Sequence, residues 1–315
     1  MAGILRIIAA LCTLLLSASA LAATGAAGLQ PSSAACAVNS WIDVRCYGAA
    51  GNGVNDDTAA INRALAAALA ADEPLFFPHG TFRITRTLAI DYKARSDTGF
   101  RLISMGAIID GKSISSAPVL EILCSGGNPG APEGCFYFNE QGTLFVNANT
   151  DGYAVVIGRH DFSDAHNSIK IDHLIVNNAN AGPRAGGLQL NYVLSSQIFT
   201  VADSAGGAAG IALEQTQISH IAGAGSAGAK GGVGLLIENG YSFANTIEAM
   251  DLEVAPTCLE IASRNAAHNT FISPYMACRT AVDAVSGNTT QLVNPLFGGN
   301  VKQEFAAAVG VTTTP

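Results

Sequence analysis

Two groups of side chains in this sequence have the types and spacing to do chemistry. Glu214 and Glu238 stand 24 residues apart, at matching places in a recurring motif. If that motif stacks turn upon turn, the two carboxylates lie one rung apart on an outward face, above Asn191, about 5 Å from each other. Such a spacing matches the roughly 5–5.5 Å between the two carboxyl groups of a retaining glycosidase. Like charges this close raise one of the two pKa values and leave a proton donor beside a carboxylate. The same pair suits calcium, a hard cation that takes several oxygen ligands. It also suits a solvated ladder whose charges diverge at a turn. The residues alone leave these three readings open.

The second group is the polar run Gly158-Arg159-His160-Asp161-Phe162-Ser163-Asp164-Ala165-His166. It falls between two strand-like segments, where loops line clefts. His160 and Asp161 are candidates for general acid–base work near neutral pH. Arg159, Asp164 and the later Arg184 are candidates for binding substrate, since an arginine can hold a carboxylate or a developing enolate. Asp172 and His173 follow within one coil. The alternative is a surface turn that uses aspartate to cap its own backbone. His220, Glu248, Asp251, Arg264, His268, Tyr275 and Arg279 are scattered over the last coils, and the sequence assigns them no common face.

What must position these groups is visible as a repeat. Gly187-Leu188-Gln189-Leu190 recurs as Gly210-Ile211-Ala212-Leu213, as Gly234-Leu235-Leu236-Ile237, as Cys258-Leu259-Glu260-Ile261 and, more weakly, as Ala281-Val282-Asp283-Ala284, at intervals of 23, 24, 24 and 23 residues. A second column is read through Gln197-Ile198, Gln217-Ile218, Thr246-Ile247, Thr270-Phe271 and Gln291-Leu292. Regular spacing in this range means stacked units, none of which can bury its apolar face alone. The alternation has period 2, so the units are strands, and successive turns lie about 4.8 Å apart. Leucine-rich repeats have a similar period, but their consensus is absent. Phe100 to Ile109, Val119 to Leu123, Leu144 to Val146, Tyr153 to Ile157 and Ile169 to Val176 read as earlier, less regular coils.

Before the coils, Trp41 to Val44 reads as a short strand and Gly48 to Gly53 as a loop. Asp56-Asp57-Thr58 offers side-chain oxygens to the N–H groups of a following helix. Ile61, Ala64, Leu65, Ala68 and Leu69 recur at helical spacing, which predicts an amphipathic helix over Thr58 to Ala71. Leu75-Phe76-Phe77 then reads as a strand, and Pro78-His79-Gly80 as a turn.

The run from Gly48 through Asn52-Gly53-Val54-Asn55-Asp56-Asp57-Thr58 to Ile61, together with Phe76-Phe77-Pro78-His79-Gly80-Thr81-Phe82-Arg83-Ile84, resembles the two-part signature that opens the pectate lyase superfamily domain. Asn52 stands where that family often has Asp. The family is related to the family 28 glycoside hydrolases and to phage tailspikes. The resemblance implies an all-β fold, a right-handed single-stranded parallel β-helix of the pectin lyase-like kind, with the helix capping its N-terminal end. In the family the signature residues are structural, so it assigns none of them to catalysis. Gly-His-Gly and Arg-Ile-Lys segments of polygalacturonases and the Tyr-Gly-x-Asp-Pro-His-Glu run of alginate epimerases are missing, so the resemblance stops short of those activities.

Composition fits this picture. The chain has 315 residues, 49% hydrophobic and 13% charged, with 34 glycines and a formal net charge of −8. It is too apolar for disorder and too acidic to favour nucleic acid, whose affinity comes from lysine and arginine. The same acidity opposes long-range attraction of a polyanion such as pectate, unless bound calcium reverses the local field. Residues 1–23 read as a signal peptide: Arg6, the apolar run Ile7 to Leu16, and Ala20-Leu21-Ala22 before the cut. An uncleaved anchor is the alternative, and no later segment is long enough to span a membrane. Residues 24–40 read as a flexible leader, 41–305 as the β-helix and 306–315 as a tail. Without Cys12, six cysteines remain in a secreted or periplasmic chain, and their short separations favour the pairs Cys36–Cys46, Cys124–Cys135 and Cys258–Cys278 among fifteen arrangements. The expected function is that of an exported carbohydrate-active protein acting on a polysaccharide, by lyase or glycoside hydrolase chemistry. The alternative is a non-catalytic glycan-binding or surface-assembly module.

Overall fold

The computed structural model describes residues 40–93, 98–125, 134–228, 231–285, 289–298 and 310–312. The expected signal peptide, all of the expected leader but Ser40, and Cys36 lie outside the described residues, as does most of the expected tail. Within the latter, Gly310–Thr312 adds a strand beside Gln291–Val293.

Alternating aliphatic residues set the architecture. Leu88, Leu120, Val155, Leu188, Ile211, Leu235, Leu259 and Val282 are parallel partners, each resting on the one in the turn before. All eight are buried. They belong to an eight-stranded parallel sheet that faces a fifteen-stranded one, and a three-stranded sheet closes the coil between them. The chain is a parallel β-helix, each turn giving one strand to each long face. Stacking rungs of Leu, Ile and Val removes both neighbours' apolar surface from water, at roughly 25 cal/mol per Å².

The second column holds except at one point. Ile198 pairs with Ile221, not with Ile218, and His220 takes the place read for Gln217. Ile218 sits instead on the corner, left-handed at φ 52° and 58% exposed. The corner between Asn191 and Gln197 has the same length as that between Glu214 and His220, so the aliphatic register follows the strand and not the Gln-Ile pair. Inside the same corners a polar ladder replaces apolar packing. Ser196 Oγ accepts from Ile169 N–H, Ser219 Oγ from Ser196 N–H, Asn245 Oδ1 from Ser219 N–H and Asn269 Oδ1 from Asn245 N–H. Each buried backbone N–H of the bend thereby finds an acceptor one turn on.

The helix spans Thr58–Ala71 and lays Ala60, Ile61, Ala64, Leu65 and Ala68 over the open first turn. Asp57 does not cap it with its side chain. Its carboxylate instead receives the N–H groups of Ala50 and Gly51, while Asp56 receives that of Thr58. Gly51 is left-handed, and a Cβ there would meet the Phe82 ring at 2.9 Å. Disulfides join Cys124 to Cys135 and Cys258 to Cys278. Cys46 is also disulfide-bonded.

Candidate functional site

The outer face of the eight-stranded sheet collects the chemistry. Glu214 and Glu238 are parallel partners on strands Ala209–Glu214 and Val233–Glu238, directly after Asn191 in the column. The alternation is the one read from the sequence, but the environment differs. Asn191 and Glu214 are fully buried although they sit on the outer side, because the 158–165 loop folds over them. Glu238, one rung on from Glu214, is half-buried. Burial, then the Glu214 charge, holds Glu238 above the usual carboxylate range, against a lowering by His160. Glu214 is gripped from both sides: Gln189 Nε2 donates to Oε1 at 2.8 Å, and His160 Nδ1 lies 2.7 Å from Oε2.

The polar run and the glutamate pair, separate in the sequence, are one site. The loop is built to bring His160 there. Gly158 is left-handed, and a Cβ would lie 2.1 Å from the Asn191 carbonyl. Asp164 anchors the loop from beneath: its oxygens accept the N–H of Arg159 at 2.6 Å and of Cys124 at 3.0 Å, and His166 Nε2 is 3.4 Å away. His166 Nδ1 in turn is 2.9 Å from the Tyr92 hydroxyl. Burial alone would raise the Asp164 pKa, but hydrogen bonding and charge from His166, with those two N–H groups, bring it below the usual range. Asp164, read as a substrate ligand, is therefore a buried anchor with no face toward solvent. Asp161 is exposed and caps Ser163 N–H. Arg159 reaches back to Ser125 Oγ at 2.6 Å. Arg184 pairs with Asp151 in the turn that precedes Gly186–Asn191, the far end of that strand from Asn191.

Sequence reasoning missed three members. Tyr153 lies flat across the outer face, over Gly186, where a Cβ would meet its ring at 2.3 Å. Its hydroxyl pKa is raised by burial and then by the Glu238 charge, which places the phenol in the pair's field. Glu121 and Gln189 line a recess of about 380 Å³, with Arg159, His160, Asn191 and Val156. The signal for Tyr153 was present: an aromatic beginning a strand, one rung before a Gly-Gly pair.

Among the described residues, no three acidic, histidine or cysteine side chains converge as a metal site would require. Glu214 and Glu238 offer calcium two carboxylates, one already engaged by His160, short of the six to eight oxygens it takes. No described helix is long and apolar enough to cross a membrane. His220 and Glu248 pair at 3.0 Å on the fifteen-stranded face, away from this site.

Residues 41–96 match the family model described as rhamnogalacturonase A/epimerase, pectate lyase-like. A glucan 1,3-beta-glucosidase of Cochliobolus carbonum is 28% identical over 188 residues, which are 59% of this chain. The chain spans 19% of that relative's length. Among solved structures, the A-module of a mannuronan C-5 epimerase from Azotobacter vinelandii is 14% identical, with TM-score 0.41 over 87% of this chain and 99% of its own. A tailspike protein of an Escherichia coli O157:H7 bacteriophage is 13% identical, with TM-score 0.44 over 83% of this chain and 39% of its own. Residues 41–96 thus carry a pectate lyase-like opening, and the chain that follows them winds as a parallel β-helix.

Proposed function

We propose that this chain is an exported, carbohydrate-active β-helix that hydrolyses a polysaccharide on the outer face of its eight-stranded sheet. The observation that carries this reading is the asymmetry of the Glu214–Glu238 pair. Glu238 is half-buried and holds its proton to higher pH, while Glu214 is fixed by Gln189 and His160. The two act as one unit. Glu238 gives its proton to the glycosidic oxygen as the C–O bond breaks. A water adds to the anomeric carbon, and its proton returns to Glu238, whose pKa the buried Glu214 keeps high. Atoms balance as one glycosidic bond and one water consumed, two hydroxyls formed. A lyase is the weaker reading, because it needs a uronate and a cation for its enolate. The nearest guanidinium, Arg159, is turned toward Ser125.

The family match and the glucosidase relative support a carbohydrate substrate. The disulfides support an oxidising compartment, secreted or periplasmic. The test is release of reducing ends from a panel of polysaccharides. Glu238→Gln and Glu214→Gln should each lose on the order of a hundredfold or more of the rate, with binding and melting temperature retained. Undiminished hydrolysis by both variants would dismiss the pair.

Full burial of Glu214 favours the second reading, a glycan-binding or surface-assembly module without catalysis. In that case affinity electrophoresis shows retardation on a glycan that the protein never shortens, and both variants weaken the retardation.

A further inference from the structure

On the fifteen-stranded face, away from the glutamate pair, an aromatic ring stands open to solvent in the middle of the sheet. Phe199 takes an outward place in strand Gln197–Ser204 and is 40% exposed. Its partner one turn on is Ala222, and the partner of Ala222 is Glu248. Turns lie about 4.8 Å apart, so Ala222 floors a slot that spans about 10 Å from the rung of Phe199 to that of Glu248. The neighbouring outward column gives the slot Gln197 and His220, which are also parallel partners. His220 Nε2 is 3.0 Å from Glu248 Oε2. The recess beside the ring holds about 220 Å³, and Phe199, Ala222, Gln197, His220, Lys170 and Asp172 are among the residues that line it.

The ring is held from its other side. Strand Lys170–Asn178 bulges there, so Asp172 and His173 together oppose the single Phe199, and a bulge of this kind re-aims side chains. The His173 ring meets Phe199 in a T-shaped contact, with centroids 4.9 Å apart. His173 Nδ1 lies 3.3 Å from Thr143 Oγ1, and the buried Glu140 carboxylate accepts the N–H groups of Asp172 and His173. Phe199 is thus packed toward the preceding turn and bare toward the next. The charges around it are already matched, Lys170 with Asp172 at 2.9 Å and His220 with Glu248. A ligand with net charge therefore gains little from them. Their remaining lone pairs and N–H groups, with the Gln197 amide, still offer hydrogen bonds.

We infer that this slot binds a neutral pyranose unit of a glycan, its C–H face on the Phe199 ring and its hydroxyls on Gln197, His220 and Glu248. It is a second carbohydrate site, on a different face from the glutamate pair and independent of it. The chemistry of the walls selects the ligand. A purely apolar guest would cover the ring but leave the polar rim without partners, which costs free energy. An acyclic polyol would meet the rim but bring no flat face to the ring. A pyranose brings both: axial C–H groups to set against the negative face of an aromatic and hydroxyls that each donate and accept. A site of few polar groups around an apolar floor is the usual composition of a small-molecule pocket. On a rigid solenoid, a polymer held here is also kept at raised local concentration over the rest of the surface.

The test titrates the purified full chain, at fixed pH, with cellohexaose, laminarihexaose, a galacturonate hexamer, a glucosamine hexamer and sorbitol. The readout is local: the imidazole C–H signals of His173 and His220 in proton NMR, assigned by their loss in His173→Gln and His220→Gln. A neutral hexamer should shift both signals to saturation, with an affinity that salt does not change. The same shifts should appear in Glu238→Gln, which separates this site from the glutamate pair. Phe199→Ala, and Ala222→Leu, which fills the slot, should each weaken binding roughly tenfold with melting temperature kept. Phe199→Tyr retains the ring and should stay within roughly threefold. Tighter binding of the galacturonate or glucosamine hexamer overturns the neutral class. An equal response to sorbitol, or full affinity in both Phe199→Ala and Ala222→Leu, overturns the proposal. Hydrolysis of a glycan with no shift at either histidine overturns this site and leaves the catalytic reading standing.

Discussion

Asp164 shows how much of the site depends on a residue that never meets solvent. It takes two backbone N–H groups and faces His166, and so fixes the loop that seats His160 on Glu214. Removing one partner of a buried pair costs about 3–5 kcal/mol, so Asp164→Ala should lower the melting temperature and weaken glycan binding together. The Asp164 pKa is depressed by folding. Its contribution is therefore full above the unfolded value of 3.8 and is lost as pH falls through the lower folded value. The stability gap between wild type and Asp164→Ala, followed by chemical unfolding, should close only in strong acid. Glu238 runs the other way. Burial and the Glu214 charge raise it, so Glu214→Gln should shift the Glu238 carboxyl titration, read by carbon NMR, to lower pH. An unmoved midpoint would contradict the coupling. The sequence showed that Glu214 and Glu238 share a column, since register follows from the repeat. It did not show that His160 joins them, because a loop's path depends on its anchors. Those are Asp164 to Cys124 and Asn191 to Gly158, bonds across 40 and 33 residues.

At the scale of the element, the strands Phe138–Ala148 and Lys170–Asn178 carry another buried acid. Glu140 takes an inward place in its strand, and one oxygen accepts the N–H groups of Asp172 and His173. There the neighbouring strand bulges between Ile171 and Leu174. A bulge frees ladder groups, and this carboxyl satisfies them. Burial raises its pKa to about 7. The folded state then holds a proton that the unfolded chain releases, so stability falls as pH rises from the unfolded value of 4.5 to about 7. The full cost is up to about 3 kcal/mol. Glu140→Gln should flatten that stretch of the stability profile, and a profile as steep as wild type would contradict the assignment. Leu235→Ala, in the middle of the aliphatic column, should cost about 2–5 kcal/mol in the same measurement. The column itself was legible from period-2 alternation at a fixed interval. The misplacement of Gln217-Ile218 shows the limit: a polar–aliphatic pair on a corner mimics one on a strand, and only pairing distinguishes them.

For the whole molecule, the helix cap, the stacked aliphatic rungs and the polar corners follow from local patterns that repeat. That is why the architecture could be read from one chain. The candidate site could be read only in part, because its acids lie on successive turns while its cover comes from a single irregular loop. The cystine Cys258–Cys278 closes 20 residues near the C-terminal turns, and replacing both with serine should cost about 3 kcal/mol by the loop-entropy model, read by urea unfolding. A glycan is proposed to lie on the outer face of the eight-stranded sheet. Carbodiimide labelling of side-chain carboxyls, followed by peptide mass spectrometry with and without saturating glycan, tests it most directly. Protection is expected at Glu238, Glu260 and Asp283, with Asp203 and Glu253 labelled as in the free protein. Protection of the fifteen-stranded face instead, with Glu238 and Glu260 labelled freely, would contradict it.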